Sequence, residues 1–535
     1  MQSRGFVHGA MLLAAAAVVS KLLGSVYTIV LQNIIGDHGM GLFQMAYPIY
    51  ATLLAIATAG FPVAISKLVA ERLALSDSAG ASRIFKVAMV LLTAGGVATF
   101  CVLFFGADLW AKVAGDQSAA PVIRAIAPAL LVVPVMSVIR GYFQGYQWME
   151  PTAFSQVIEQ FIRVATILGL AIWFMNRGLG QSAAAAGAAF GAVTGALAGF
   201  LSLMYFWSNH RSDRDEGPGA TRPRASTAAL SKQLLYYAFP ISLGALVVPL
   251  MNNVDVITVV NLLKSAGVSQ QAATTDFGLL SGRAFKLMML PTTLAAGIGI
   301  AVMPAVSEAF TLGFRRLVAS RIDMAIRLTM MLALPASVGL ALLAKPVDMT
   351  LFKDDAGTLT IRVMALATVF ASVQTTVAAV LQGAGWVYLP VVNLLFAGVV
   401  KLVSNLYLVP RFGIQGAAAA TVLSYAAAAF LNFWAMRRTL GERMQWWRWV
   451  LQPALATFVM SSVIFALLKQ WERWSTFADS RVETALVTAI LVGVGMVVYA
   501  MALLATGALS EREVRSVPKV GPQLVLWFQR LGLLK

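Results

Sequence analysis

Long apolar runs recur from one end of the chain to the other, each separated from the next by a polar connection. They fall at roughly 6–31, 40–64, 83–106, 121–143, 152–175, 183–207, 232–262, 279–306, 322–344, 359–382, 387–409, 413–436, 447–469 and 483–506. Each holds about 20 residues or more, enough to cross the hydrocarbon core of a bilayer as an α-helix. Within the runs the apolar residues are continuous and rich in Ala and Leu, where a membrane strand would alternate. The pattern predicts an all-α polytopic membrane protein of about fourteen transmembrane helices.

One connection is unlike the others. Residues 208–231 (SNHRSDRDEGPGATRPRASTAALS) are rich in Pro, Gly and charge and predict a solvated linker. It separates a first lobe of six helices, 1–207, from a second, 232–437, and two further helices occupy 438–506. Residues 507–535 end in LVLWFQRLGLLK, the pattern of an amphipathic helix lying at the membrane surface. The two lobes are internal copies. FQGYQW at 143–148 and LQGAGW at 381–386 align with one offset, and Gln144 and Gln382, Trp148 and Trp386, and Arg163 and Lys401 are all 238 positions apart. Six helices per copy is an even number, so the copies share one orientation. Such parallel repeats are a transporter pattern, with the substrate path between the halves.

Composition agrees: 59% of the 535 residues are hydrophobic and 12% charged, half of the roughly 25% usual in soluble domains. The net charge of +17 sits mostly in connections, so it reads as positive-inside topology and attraction to anionic lipids, with no call for a nucleic acid partner. Lys67, Arg72, Arg83, Lys86, Arg315, Arg316, Arg437, Arg438 and Arg443 fall on the face that also carries the linker. That face is expected to be cytoplasmic, with both termini on it. The first run is longer than a signal peptide's apolar core and contains Lys21, so it is read as a retained span. The single cysteine, Cys101, excludes a disulfide framework, and His8, His38 and His210 have no metal-ligand spacing. No GxxxxGK[ST] loop or nucleophile–base constellation is present, so neither ATP hydrolysis nor other enzymatic chemistry is expected.

Charged residues inside spans are costly and are functional candidates for that reason. The basic set is Lys21, Arg163, Arg283, Lys286, Arg327 and Lys401, and the acidic set is Glu159 and Asp255. Glu159 and Arg163 stand at i,i+4 and can pair; Arg327 lies four residues after Asp323 near a span end. Lys21, Arg283, Lys286, Arg163 and Lys401 are the candidate cavity cations, and an excess of internal cations implies an anionic cargo. Asp255 follows Asn252 and Asn253 and, with Asn393 and Thr421, is the candidate site for a coupling sodium ion or proton. No other cofactor is expected.

Four segments carry a family resemblance: 20–50 (SKLLGSVYTIVLQNIIGDHGMGLFQMAYPIY), 140–164 (RGYFQGYQWMEPTAFSQVIEQFIRV), 291–310 and 381–425. They resemble the MurJ/stage V sporulation protein B branch of the multidrug/oligosaccharidyl-lipid/polysaccharide exporter superfamily. The resemblance implies a two-lobed bundle in a bacterial cytoplasmic membrane that moves an undecaprenyl-pyrophosphate glycan such as lipid II outward by alternating access. It also implies contact with membrane lipids and cell-wall synthesis proteins, and cavity roles for Lys21 and Lys286, with Arg283 beside the latter. Tyr27 and Thr52 stand where the better-studied lipid II flippases carry arginines, which places this chain nearer the Gram-positive and sporulation subgroup. A flippase for another polyprenyl-linked glycan, a cation-coupled drug antiporter and a non-transporting scaffold are the competing readings. An antiporter for cationic drugs calls for an acid-lined cavity, which the excess of internal Lys and Arg opposes.

Overall fold

A computed structural model describes residues 2–209, 226–441, 447–474 and 480–507, without the side chains of residues 2–12, 14–15, 17–19, 21–22, 25, 240 and 474. Most of the expected 208–231 linker and the expected amphipathic tail lie outside these residues. The described chain is helical, in two compact units, Met1–Gly278 and Leu279–Lys535. Twelve of its helical segments are long and apolar enough to cross a membrane.

The first unit holds α1 (Gln2–Thr58), α2 (Phe61–Ala74), α3 (Ser78–Phe105), α4 (Ala107–Ala114), α5 (Ala120–Ile126), α6 (Ala129–Gly145), α7 (Glu150–Asn176), α8 (Gly180–Asn209), α9 (Thr227–Ser265) and α10 (Gln270–Gly278). The second opens with a π-helical turn, Leu279–Ala284, and continues through α11 (Phe285–Thr311), α12 (Arg315–Leu342), α13 (Ala344–Phe352), α14 (Thr358–Ala365), α15 (Ala367–Gly383) and α16 (Tyr388–Leu440). A second π turn, Trp447–Leu451, leads into α17 (Gln452–Trp474) and α18 (Arg481–Ala505). Two long elements run through a non-helical glycine: α1 at Gly36 (φ 72°) and α16 at Gly413 (φ 59°). Positive φ is readily adopted only without a Cβ, so glycine marks each break. The apolar runs 6–31 and 40–64, and 387–409 and 413–436, meet at these two places. Each long element is therefore two helices in series across a non-helical glycine.

The internal repeat is written in the backbone. α6 and α15 have boundaries displaced by 238 positions at both ends, and each closes in the same hydrogen-bonded cap. Trp148 N–H donates to Phe143 O at 3.0 Å and Gln147 N–H to Gln144 O at 2.9 Å; Trp386 N–H donates to Leu381 O at 2.9 Å and Gly385 N–H to Gln382 O at 3.0 Å. This 6→1 and 5→2 pairing is a Schellman cap, which needs a left-handed residue. Gln147 (φ 60°) and Gly385 (φ 91°) supply it. The shared QG and W of the two sequence motifs therefore encode a helix end. A second equivalence lies upstream, where Gly115 (φ 95°) and Lys353 (φ 76°) end α4 and α13, each followed by an aspartate, Asp116 and Asp354.

Helix packing in the first unit centres on the α7–α8 seam. Gly187, Gly191, Gly195 and Gly199 form an i,i+4 stripe on α8, and small residues at that spacing let two membrane helices approach closely. A Cβ on Gly191 would lie 2.5 Å from Ile167 Cγ1, and one on Gly195 would lie 2.7 Å from the Glu159 carbonyl oxygen and from Arg163 Cβ. The stripe thus receives the backbone of the turn that carries Glu159 and Arg163. In the second unit, α18 and the second π turn pack on α12: Tyr499 OH donates to Met331 O at 2.8 Å, and Trp449 Nε1 donates to Asp323 Oδ1 at 2.6 Å.

Gly195→Leu is expected to wedge the seam apart and destabilise the folded protein by roughly 1–3 kcal/mol or more, as overpacking does. A thermal melt of the detergent-purified protein checks this against Gly493→Leu, whose Cβ would meet nothing within 4 Å.

Candidate functional site

Fourth-span and fifth-span side chains meet in the first unit around one carboxylate. Glu159, on α7, accepts from Arg140 of α6 at 2.9 Å through Oε2 and from Arg163, one turn along α7, at 2.5 Å through Oε1. Arg140 Nε also donates to Ser155 Oγ at 2.9 Å, and Ser155 Oγ donates on to Thr152 O. Two guanidinium groups on one carboxylate leave a net positive charge. The expected Glu159–Arg163 pair is present, and Arg140, which sequence reasoning passed over, joins it. The side chains of Arg140 and Glu159 are each 13% exposed and that of Arg163 21%, so the cluster is sheltered but reachable. Arg163 Nε is buried with no hydrogen-bond partner. Tyr27, Tyr47 and Tyr50, on α1, lie near enough to interact electrostatically with Arg163.

The second unit treats Arg283 and Lys286 differently, although they stand three residues apart. Arg283 closes the π-helical turn Leu279–Ala284, a rare geometry that frequently marks functional positions. Its guanidinium is 2% exposed and bonds Asp348 Oδ1 at 3.0 Å and Asp354 at 2.6 and 3.0 Å. The ring of Phe352 lies 4.9 Å from it. Thr358 Oγ1 adds a hydrogen bond to Asp348 at 3.2 Å. Both carboxylates come from the connection after α12, outside the spans. Burial pushes the Asp348 carboxyl above its usual range against the opposing pull of Arg283. For Asp354 burial acts in the same direction, but the hydrogen bonds from Arg283 and the Ala356 N–H prevail and hold it below that range. Lys286, on the first turn of α11, is half-buried and has no ion pair or side-chain hydrogen bond among the described residues.

The remaining candidates have their own surroundings. Lys21 lies on α1, and its side chain is outside the described residues. Lys401, on α16, is buried, at 1% exposure. Asp255 is buried on α9 in the first unit, where neighbouring Asn253 donates to Thr52 Oγ1 at 2.6 Å. Asn393 and Thr421 belong to the second unit, where Asn393 donates to Asn432 Oδ1 at 2.8 Å and Thr421 to Ala417 O at 3.0 Å. The structure therefore gathers Glu159 with Arg163 in one unit and places Arg283, Lys286 and Lys401 in the other. That unit also holds an apolar cavity of about 580 Å³ between α11, α12, α17 and α18, lined by Leu290, Leu294, Met331, Leu340, Met460 and Met496 among others.

Long apolar helices in a repeated arrangement, with ionised side chains held inside the spans, define a polytopic protein of the transporter type. A family model described as a polysaccharide biosynthesis protein matches residues 6–310. Among proteins of Bacillus subtilis (strain 168), the chain is 33% identical to the uncharacterized membrane protein YabM, over 96% of this chain and 94% of that one. It is 30% identical to the lipid II flippase MurJ, over 93% and 94%, and 28% identical to stage V sporulation protein B, over 98% and 100%. The chain belongs to the polysaccharide biosynthesis protein family, in line with its sequence motifs. Its fold is that of an inward-facing multidrug resistance MATE family transporter of the MOP superfamily (TM-score 0.67, 18% identity, 79% of this chain and 94% of that one). It is equally that of lipid II flippase MurJ in an inward closed conformation (TM-score 0.66, 13% identity, 92% and 98%).

Arg283→Leu is expected to destabilise the second unit by about 3–5 kcal/mol, since it strands the buried Asp348 carboxylate. Adding Asp348→Leu should recover much of that loss in a thermal melt. Asp354 gives a pH signature with a definite sign. Its folded value lies below the ordinary 3.8, so its contribution is complete above pH 3.8 and is lost as pH falls through the depressed value. Below pH 3.8 the parent's melting temperature should therefore fall more steeply than that of Asp354→Asn.

Proposed function

We propose that the chain is a lipid-linked oligosaccharide flippase that moves the undecaprenyl-pyrophosphate-linked peptidoglycan precursor, lipid II, from the cytoplasmic to the outer leaflet by alternating access. The observation that carries this reading is Lys286, an intramembrane cation with no carboxylate on it among the described residues. An ammonium inside a span is costly unless something anionic visits it. Arg163 adds positive charge in the other unit, and Lys21, Arg283 and Lys401 complete the proposed cation set. The apolar cavity of about 580 Å³ offers a place for part of an isoprenoid chain. The names of two relatives, a lipid II flippase and a stage V sporulation protein, support a cell-wall role.

On this reading the protein lies in a bacterial cytoplasmic membrane with both termini cytoplasmic, the orientation favoured by its basic connections. Two negative charges leaving a negative interior gain roughly 4–5 kcal/mol per 100 mV for a full crossing, so the membrane potential can drive export. Asp255, Asn393 and Thr421 remain the proposed residues for sodium or proton coupling.

Complementation tests the proposal in cells. The parent chain should restore growth to a bacterium depleted of its essential lipid II flippase, Lys286→Ala should fail at equal membrane abundance, and Lys286→Arg should retain part of the activity. Growth on Lys286→Ala equal to that on the parent would remove Lys286 from the transport path.

A further inference from the structure

The Arg140–Glu159–Arg163 cluster is not a requirement of the helices that carry it. The second unit builds the equivalent helices 238 positions later, with Ala378 in place of Arg140, Ala397 in place of Glu159 and Lys401 in place of Arg163. The α15 counterpart of α6 has the same length and the same cap without any arginine. The Arg140 guanidinium and the Glu159 carboxylate are thus additions that one copy carries and the other omits, while both keep a cation at the third position. Removing three charges from water carries a desolvation cost, and apolar residues of similar volume commonly serve stability as well or better. A structural explanation is therefore weak.

Two arginine side chains converging on one small anion is also the donor set that suits a phosphate. Arginine forks bind carboxylates and phosphates with the same in-plane geometry, so one occupant can replace the other. Glu159 holds both forks with its two oxygens. The Nε donor of Arg163 remains buried without a hydrogen-bond partner, and Tyr27, Tyr47 and Tyr50 lie near the Arg163 side chain. Glu159 stands nine residues from the start of α7 and Arg140 five from the end of α6, which is roughly 13 Å and 8 Å of helix at 1.5 Å per residue. In the proposed orientation these helix ends face the cytoplasm, so the cluster lies on the side where cargo enters.

We propose that Arg140 and Arg163 form a capture site for the pyrophosphate of a polyprenyl lipid, and that Glu159 is a resident counter-ion which the pyrophosphate displaces on binding and which reclaims the arginines to help release it. This inference rests on the flippase reading and adds Arg140 and a role for Glu159 to it. A carboxylate that competes with cargo has a consequence no purely structural ion pair shares: neutralising it tightens cargo binding.

The test uses the full chain in nanodiscs, titrated with undecaprenyl pyrophosphate and, separately, with phosphatidylglycerol and inorganic pyrophosphate. Arg140→Ala should weaken undecaprenyl pyrophosphate binding about tenfold, the worth of one charge-assisted contact. Glu159→Gln should tighten it severalfold while slowing turnover. Arg140→Lys covers the case in which Arg140→Ala does not fold, and should show an intermediate loss. Unchanged or weakened binding in Glu159→Gln overturns the displaceable counter-ion. An equal dependence on Arg140 with phosphatidylglycerol, or with inorganic pyrophosphate alone, overturns the assignment to polyprenyl cargo. Parent binding that ignores every substitution overturns the capture site alone, whereas a parent that binds no undecaprenyl pyrophosphate overturns the flippase reading with it.

Discussion

Charge inside a hydrocarbon slab has to be answered by another charge, by hydrogen bonds or by water, and the arrangement of this protein follows from how each ionised group is answered. Arg283 is buried against two aspartates that reach it from outside the spans. Arg140 and Arg163 share a single glutamate and keep a net positive charge. Lys286 has no carboxylate on it among the described residues. The three cases form a graded series, and the least neutralised members are the ones with attraction left over for a visiting anion. In this respect Arg283, although it neighbours Lys286 in sequence, is the least available of the set.

The repeat explains why the charges can differ while the frame does not. α6 and α15 match in length and end in the same cap, and the aspartates after α4 and α13 both serve their own turns: Asp116 accepts from Ser118 N–H and Asp354 from Ala356 N–H. Each also receives donors from the segment that begins at α10. Asp116 takes Gln270 and Thr274, and Asp354 takes Arg283. A duplicated scaffold with its own stable caps leaves the intramembrane side chains free to diverge, as Arg140, Glu159 and Arg163 do from Ala378, Ala397 and Lys401. The glycine stripe of α8 draws in the backbone of α7 where Glu159 and Arg163 stand.

Much of this was legible in the residues, because hydrocarbon length and helical rise leave a continuous apolar run few alternatives. The helical class, the repeat offset and the Glu159–Arg163 pair all follow from spacing. The number of spans is less direct: at Gly36 and at Gly413 two runs follow each other across a single non-helical glycine, and an apolar count does not register how short the break is. Arg140 escaped notice because it lies near the end of its span, where a basic side chain ordinarily reaches the interface. The partners of Arg283 were invisible for another reason. Asp348 and Asp354 are 65 and 71 positions away, and local pairing rules reach only one helical turn. The α8 stripe was readable, since glycine at every fourth residue in an Ala-rich helix is a packing signal, but it points to a seam and not to the charges behind it.

Intramembrane cations that carry a lipid-linked pyrophosphate across the bilayer must support its translocation by the purified chain. The direct measurement is lipid II translocation in proteoliposomes made with the purified chain, read by the accessibility of fluorescent lipid II to an external reagent while the membrane potential is varied. Protein-dependent translocation that accelerates when the receiving side is made positive is the expected result. Translocation no faster than in protein-free liposomes at any potential, from protein shown to be folded and inserted, would contradict it.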